Sequence, residues 1–165
     1  IDPLSLKGSY AGAMGIPQFI SSSYREYAVD FDTDGKKDLW QNPIDAIGSV
    51  ANYFNRHGWE TGQLVTFPAS TTGSRVNEII NSDLKPHIRS GDLKEYGIII
   101  DQVIQETTLL KVLKFEQKDR YDYWFGLHNF YVITRYNHSA LYAMAVYQLS
   151  ESIRAEYEKV TALEK

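Results

Sequence analysis

The sequence predicts an α+β fold, with helical segments on either side of a region rich in strand-forming residues. Three observations support this prediction. Asn42 and Pro43 are typical of a helix start, and Gly58 is typical of a helix end. β-Branched and aromatic residues then occur in three runs separated by turn signals, at positions 98–100, 107–115 and 121–125. Apolar residues return at helical spacing toward the C-terminus, as expected when helices flank a β-containing insertion.

The individual helices follow from capping and spacing. Asn42 is predicted to cap the helix that starts at Pro43, and Asp45 favours its positively polarised first turn. One apolar face of this helix is predicted to pack against the core: Ile44, Ile47, Ala51 and Phe54. Helical spacing also predicts a helix over 17–29, a short one over 76–82, and a C-terminal one carrying Tyr142, Val146, Leu149 and Ile153.

A chain of 165 residues suffices for one domain or for a core with a small lobe. The composition changes at Gly62, after which residues 66–75 are rich in Thr, Ser, Pro and Gly and predict turns with a short strand. We therefore expect three parts: a helical core segment with a metal loop at 1–61, a small β-containing lobe at 62–126, and core helices at 127–165.

Composition excludes several classes of function. Hydrophobic residues make up 43% of the chain and charged residues 23%, which indicates a folded core. The net charge is −4 without any lysine- or arginine-rich run, so nucleic acid and acidic membrane surfaces are poor partners. The absence of cysteine excludes disulfides and thiolate metal sites. The 12 tyrosines favour a carbohydrate cleft, although tyrosines also serve cores and interfaces.

A candidate calcium loop follows the first predicted helix. Residues 30–38 read DFDTDGKKD and match the opening D-x-D-x-D-G of an EF-hand-like loop. Gln41 stands where such a loop usually has a bidentate glutamate, and Asp45 is the best substitute. The predicted ligand set is Asp30, Asp32, Asp34, the backbone carbonyl of Lys36, Asp38 and Asp45. The alternative is a solvated acidic turn held by side-chain-to-backbone hydrogen bonds.

Three separated strings suggest a binding site. Residues 8–24 read GSYAGAMGIPQFISSSY, and a glycine-rich bend of this kind lets a ligand approach the main chain closely, or is simply a tight turn. Residues 129–139 read NFYVITRYNHS, in which a phenol and an amide are adjacent at Tyr136 and Asn137 and are able to hold sugar hydroxyls and N-acetyl groups. Taken alone, this pair is better explained as an ordinary buried tyrosine and an asparagine near a helix start. Residues 49–54 read SVANYF and follow Trp40.

In this order the three strings resemble the membrane-bound lytic murein transglycosylases of the B type over residues 2–59 and 121–149. Ser21 is a departure, since the family usually has proline there. The resemblance implies a lysozyme-like helical core, structural calcium and cleavage of the β-1,4 bond between N-acetylmuramic acid and N-acetylglucosamine, with 1,6-anhydromuramoyl products. It also implies a periplasmic location, with outer-membrane association only through an N-terminal lipid. We expect a monomer that acts on peptidoglycan glycan strands.

The resemblance places the substrate-binding residues of the family at Ser9, Gln18, Tyr53, Tyr136, Asn137 and Tyr142. It also implies one glutamate that acts as acid and then as base, in a Glu-Thr-x-x-Gly type motif. No glutamate of this chain lies in such a motif. We therefore expect the catalytic glutamate upstream of Ile1 and the chain to be the C-terminal part of the catalytic region, inactive alone.

Two further hypotheses stay open on the sequence. The chain is alternatively a non-catalytic glycan-binding module that retains the cleft and the metal loop. In the third hypothesis it is a calcium-dependent structural or interaction domain.

Overall fold

The computed structural model describes residues 7–163, apart from the side chain of Ser74. The chain divides after Trp59 into two compact units. The predicted parts 1–61 and 127–165 extend beyond the described residues, and the three-part division stays a prediction. Among the described residues, none of the helices has both the length and the apolar character needed to cross a membrane.

The first unit contains helices α1 (Ser21–Tyr27) and α2 (Pro43–Arg56) and a long loop between them. Helix α1 starts later than the predicted position 17. The reason is local: Met14 and Phe19 exchange backbone hydrogen bonds of 2.9 and 3.1 Å, which confines Pro17 and Gln18 to the intervening turn. Helix α2 starts as predicted, because the Asn42 side chain accepts hydrogen bonds from the N–H groups of its first turn.

The predicted apolar face of α2 was wrong. Ile44 and Ile47 are 51% and 71% exposed, whereas the buried side carries Asp45, Ser49 and Tyr53. Polar residues lie inside because the loop before α2 has no regular structure and its backbone needs hydrogen-bond partners. Asp45 and Ser49 provide them, and the ring of Phe31 packs so closely on α2 that a Cβ at Gly48 would lie 2.5 Å from it.

The second unit contains a five-stranded antiparallel sheet. Its strands are β1 (Thr66–Thr71), β2 (Ile88–Arg89), β3 (Ile98–Ile99), β4 (Leu109–Glu116) and β5 (Tyr121–Gly126), in the order β2-β4-β5-β1-β3. The register pairs Leu113 with Trp124 and Phe67 with Phe125. These strands confirm the predicted runs near 98, 107 and 121. The helix predicted over 76–82 is a 3₁₀ turn, Ser74–Glu78, and a second such turn spans Ser90–Tyr96.

The core of the second unit lies against the central strands. Its buried members are all apolar: Phe67, Val76, Ile79, Leu93, Ile98, Leu110, Val112 and Phe125. Strand β5 ends at Gly126, where a Cβ would lie 2.9 Å from the ring of Phe130 in the following helix. The last two helices are α3 (His128–Tyr136) and α4 (Ala140–Leu163). Helix α4 is the predicted C-terminal helix, although Leu149 and Ile153 are 62% and 60% exposed.

Among the residues of this unit that the structure describes, one charged side chain is buried. Lys111 in β4 is 2% exposed, and its ammonium donates to the backbone carbonyl and the Oδ1 atom of Asn81 at 3.0 and 2.6 Å. Burial lowers the pKa of Lys111, and the nearby carboxylate of Asp83 partly offsets this effect.

Candidate functional site

Ser9 and Gln18 lie in a glycine-rich double turn. The Ser9 hydroxyl accepts a hydrogen bond from the Ala13 N–H at 3.1 Å, and Met14 then forms bridges to both Gly8 and Phe19. Both predicted residues are exposed. The small residues of this string are therefore used to turn the chain tightly while leaving the two polar side chains at the surface.

Gln18 has an unusual backbone conformation. Its φ is +53°, in the left-handed region that glutamine seldom adopts, and its side-chain amide donates to the Gly15 carbonyl at 2.8 Å. Gly15 also has a positive φ, and a Cβ there would lie 2.5 Å from the Leu39 carbonyl oxygen. The turn thus holds Gln18 in a defined orientation, and strain of this kind is more frequent at functional sites.

Tyr53 lies in a cluster of rings within the first unit. It is 9% exposed, and its ring centroid lies 5.9 Å from that of Phe19, 4.8 Å from that of Tyr27 and 4.0 Å from the stacked imidazole of His57. Since Phe19 follows Gln18 directly, this cluster brings two of the predicted strings together. Tyr53 and Tyr27 also line an open pocket of about 510 Å³, together with four polar residues of α1: Ser22, Ser23, Arg25 and Glu26.

Tyr136, Asn137 and Tyr142 lie at the corner between α3 and α4 in the second unit. The rings of Tyr136 and Tyr142 are parallel to within 7°, with centroids 6.4 Å apart. Asn137 ends α3 in an extended conformation and is exposed, and its carbonyl accepts from the Ser139 N–H at 2.7 Å. The hydroxyl of Ser139 in turn accepts from the Tyr142 N–H at 3.3 Å. This corner presents an amide beside two stacked phenols.

Four carboxylates of the predicted calcium loop lie close together. Asp30, Asp32, Asp34 and Asp45 each offer an oxygen atom, and these oxygens lie within 4.8 Å of one another. Asp45 is the fully buried member of this group, and it comes from the first turn of α2. Four anionic oxygens at this separation repel one another, and their donor type suits a hard cation such as calcium. The donor set therefore fits that ion.

Backbone N–H groups orient these carboxylates. The Asp45 carboxylate accepts hydrogen bonds from the N–H groups of Phe31 and Asp38 at 2.8 Å each. These two bonds, with that from Phe31 having the larger effect, hold the pKa of the Asp45 carboxyl below its usual value, whereas burial acts in the opposite direction. Asp30 accepts from the N–H groups of Asp34 and Gly35 at 3.1 and 2.8 Å. The loop is therefore folded around its own carboxylates.

The other two predicted ligands differ from these four. Asp38 is not a member of the group, since its Oδ1 accepts from the N–H groups of Trp40 and Gln41 at 2.9 and 3.0 Å. Lys36 donates its N–H to Asp34 at 2.8 Å.

Sequence reasoning missed several residues that support these sites. Asn42 donates its side-chain amide to Asp32 at 2.8 Å, in addition to capping α2. Tyr27 and His57 pack on Tyr53, and the His57 Nδ1 lies 2.7 Å from the Tyr53 carbonyl oxygen. The four-residue spacing of Tyr53 and His57 on one helix face was the available signal.

Comparison with known proteins identifies the family of the chain. The family model described as Transglycosylase SLT domain matches residues 1–151. Membrane-bound lytic murein transglycosylase B of Escherichia coli K12 is 46% identical over 152 residues, which are 92% of this chain and 41% of that protein.

Two solved structures are also similar. The structure of the E. coli lytic transglycosylase Slt35 in complex with calcium is 45% identical with a TM-score of 0.84, over 94% of this chain and 48% of that one. The structure of SltB3 from Pseudomonas aeruginosa in complex with NAG-anhNAM-pentapeptide is 34% identical with a TM-score of 0.78, over 90% of this chain and 40% of that one. This chain thus spans less than half the length of these three relatives. A family match over most of the chain, together with a mixed helix-and-sheet fold shared with these enzymes, shows that the chain belongs to the transglycosylase SLT domain family.

Proposed function

We propose that the protein containing this chain is a lytic transglycosylase of peptidoglycan. It cleaves the β-1,4 bond between N-acetylmuramic acid and N-acetylglucosamine and leaves 1,6-anhydromuramoyl ends. The observation that carries this proposal is the 46% identity to a murein transglycosylase over 92% of the chain. The SltB3 ligand is a glycan that bears a pentapeptide, so we take the substrate to be peptide-bearing glycan. Because murein is the substrate, we also propose a periplasmic location.

The chain's own residues are proposed to bind and orient the glycan. In the first unit, the exposed amide of Gln18 and the hydroxyl of Ser9 are available to sugar hydroxyls, and Tyr53 lies in a ring cluster beside a pocket with a polar rim. Sugars bind well to such surfaces, because rings pack on their C–H faces while polar groups hydrogen-bond their oxygens. We assign none of these residues to proton transfer.

The α3–α4 corner is proposed to recognise the N-acetyl groups. Asn137 offers both a donor and an acceptor, which matches the C=O and N–H of an acetamido group. The stacked rings of Tyr136 and Tyr142 lie at the same corner of the chain as Asn137.

The acidic loop is proposed to be an EF-hand-like calcium site with a structural role. Asp30, Asp32, Asp34 and Asp45 would hold the ion, with the Lys36 carbonyl and Asp38, directly or through water, as further candidates. The support is the convergence of four carboxylate oxygens within 4.8 Å. A bound cation neutralises their repulsion and ties the loop to α2. The proposed fold around this loop is the lysozyme-like core.

Binding of a peptide-free murein disaccharide to the full-length protein tests the proposal. We expect Asn137→Ala and Gln18→Asn each to weaken binding about tenfold, the loss of one or two good hydrogen bonds. Asparagine is chosen at position 18 because it tolerates the left-handed backbone while withdrawing the amide. Asn55→Ala, at an exposed position of α2, is the matched control and should leave the affinity unchanged. Equal affinities in all four proteins would refute the assignment.

A further inference from the structure

A second concavity lies in the unit that begins at Glu60, and the glycan-binding proposal does not use it. Its volume is about 550 Å³, and its walls come from segment 60–64, from Lys85 and Pro86, from the start of β4 and from the start of α3. Leu64 and Leu109 line it and remain 48% and 49% exposed. Two leucines that share one cavity and stay half open to solvent are a surface on which an apolar ligand group would gain by burial.

The walls of this cavity are held together by hydrogen bonds, three of them from one buried asparagine. Asn129, which is fully buried in α3, accepts from the Glu60 N–H at 2.9 Å and donates to the carbonyls of Glu60 and Gln63 at 2.8 and 3.2 Å. The Leu127 N–H donates to the Val65 carbonyl at 3.0 Å. Segment 60–65 is therefore held against α3, and the cavity is a preformed site, as small-ligand sites usually are.

The cavity also offers a cation to a ligand. Lys85 is an exposed lining residue, and Glu60 is the one carboxylate among the residues that line the cavity. The Arg135 guanidinium lies 4.1 Å from the ring centroid of Tyr131, another lining residue. A short peptide that carries a carboxylate and small apolar side chains suits this arrangement, because the carboxylate pairs with Lys85 while the apolar side chains pack on the leucines.

Helix α3 connects this cavity to the proposed glycan site. His128 at its first residue lines the cavity, and Tyr136 at its last residue belongs to the glycan-binding corner. Eight residues of helix span about 12 Å, at about 1.5 Å per residue. An extended peptide covers about that distance in four residues. A peptide attached to a sugar at the corner is therefore long enough to reach the cavity.

We propose that this cavity binds the peptide carried by the murein glycan, with Lys85 attracting its carboxylates and Leu64 and Leu109 receiving its small apolar side chains. The proposal rests on the proposed function in one respect: the identification of the substrate as peptide-bearing glycan. It adds a peptide-recognition site to the chain, separate from the residues assigned to the sugars.

The test measures the affinity of the full-length protein for two separate probes, a sugar-free murein pentapeptide and a peptide-free murein disaccharide. Lys85→Glu should weaken binding of the pentapeptide at least tenfold. Lys94→Glu reverses the charge of an exposed lysine that does not line the cavity, and it should change this affinity less than twofold. Leu109→Ser should weaken pentapeptide binding as well, with Leu149→Ser on α4 as its control. None of the four substitutions should change the disaccharide affinity by more than twofold.

The two proposals fail separately. No binding of the pentapeptide to the unaltered protein, or equal losses in Lys85→Glu and Lys94→Glu, would overturn the peptide site. A loss of disaccharide affinity in Lys85→Glu as large as that for the pentapeptide would also overturn it, because the cavity would then bind sugar. Selective loss of the pentapeptide would support the peptide site even if the disaccharide failed to bind and the glycan assignment were withdrawn.

Discussion

Replacement of Asn129 by alanine tests how much the hydrogen bonds between its side chain and the backbone of Glu60 and Gln63 stabilise the second unit. The asparagine makes three hydrogen bonds to the backbone of Glu60 and Gln63, and its side chain has no exposure to solvent. Truncation leaves one N–H and two carbonyl groups without their partner. Because Glu60 and Gln63 lie at the surface, water can reach part of this backbone. The cost per group is then near the low end of about 1–3 kcal/mol, and the sum is about 3 kcal/mol.

The assay is urea unfolding followed by circular dichroism, with amide hydrogen exchange at Glu60 as a local readout. We expect Asn129→Ala to lower the free energy of unfolding by about 3 kcal/mol and the Tm by about 6–12 °C. Gln148→Ala, at an exposed position of α4, should stay within about 0.5 kcal/mol of the unaltered protein. Asn129→Ala would refute the reasoning if it matched this control and left the exchange rate of the Glu60 amide unchanged.

Three further predictions concern the loop, its helix and the buried lysine. About 10 mM calcium should raise the free energy of unfolding by about 1–3 kcal/mol in thermal melts. Asp34→Ala should abolish this response, whereas the control Asp101→Ala should keep it. A calcium response that persists in Asp34→Ala would exclude the loop as the site. Gly48→Ala should lower the free energy of unfolding by about 1–2 kcal/mol, although alanine normally favours helices, because the added Cβ meets the ring of Phe31. Gly73→Ala, with open space around the added Cβ, is the control. A gain in stability in Gly48→Ala would contradict this reasoning. Burial lowers the pKa of Lys111 in the folded chain, so the unfolded chain binds more protons at pH values between that lowered pKa and 10.5. Urea unfolding should therefore show a free energy of unfolding that rises with pH across this window. The rise should disappear in Lys111→Met, and an equal rise in both proteins would assign it to other groups.

Local signals predicted the elements that depend on local chemistry. The start of α2 follows from the side chain of Asn42 and the fixed φ of Pro43, and both act within one turn. The strands near positions 98, 107 and 121 follow from runs of β-branched and aromatic residues between turns. Convergence of Asp30, Asp32 and Asp34 follows from alternate spacing around a glycine turn.

The wrong predictions involve partners distant in the sequence. The buried side of α2 is polar because a separate loop needs hydrogen-bond acceptors there, and periodicity of apolar residues carries no information about that requirement. The start of α1 moved because Met14 and Phe19 pair with each other, which excludes Pro17 from the helix. Asn129 holds a segment 69 residues earlier in the chain, and a lone asparagine gives no sign of such a contact.

The predicted site residues carry a local sequence signal that their supporting residues lack. Resemblance of three short strings was enough to select Gln18, Tyr53 and Asn137, because each stands in a distinctive local sequence. Tyr27 and His57 carry no such signature and were found only when their rings were seen to pack on Tyr53. The roles assigned to all of these residues in glycan binding stay predictions until variants are measured.

The most direct test of the account is the chemical form of the products that the full-length protein releases from purified murein in isotopically labelled water. We predict muropeptides with 1,6-anhydromuramoyl ends, one water molecule lighter than their hydrolysed counterparts and free of the label. Muropeptides with reducing ends that carry oxygen from the labelled water would contradict the account, because they would show hydrolysis instead of transglycosylation.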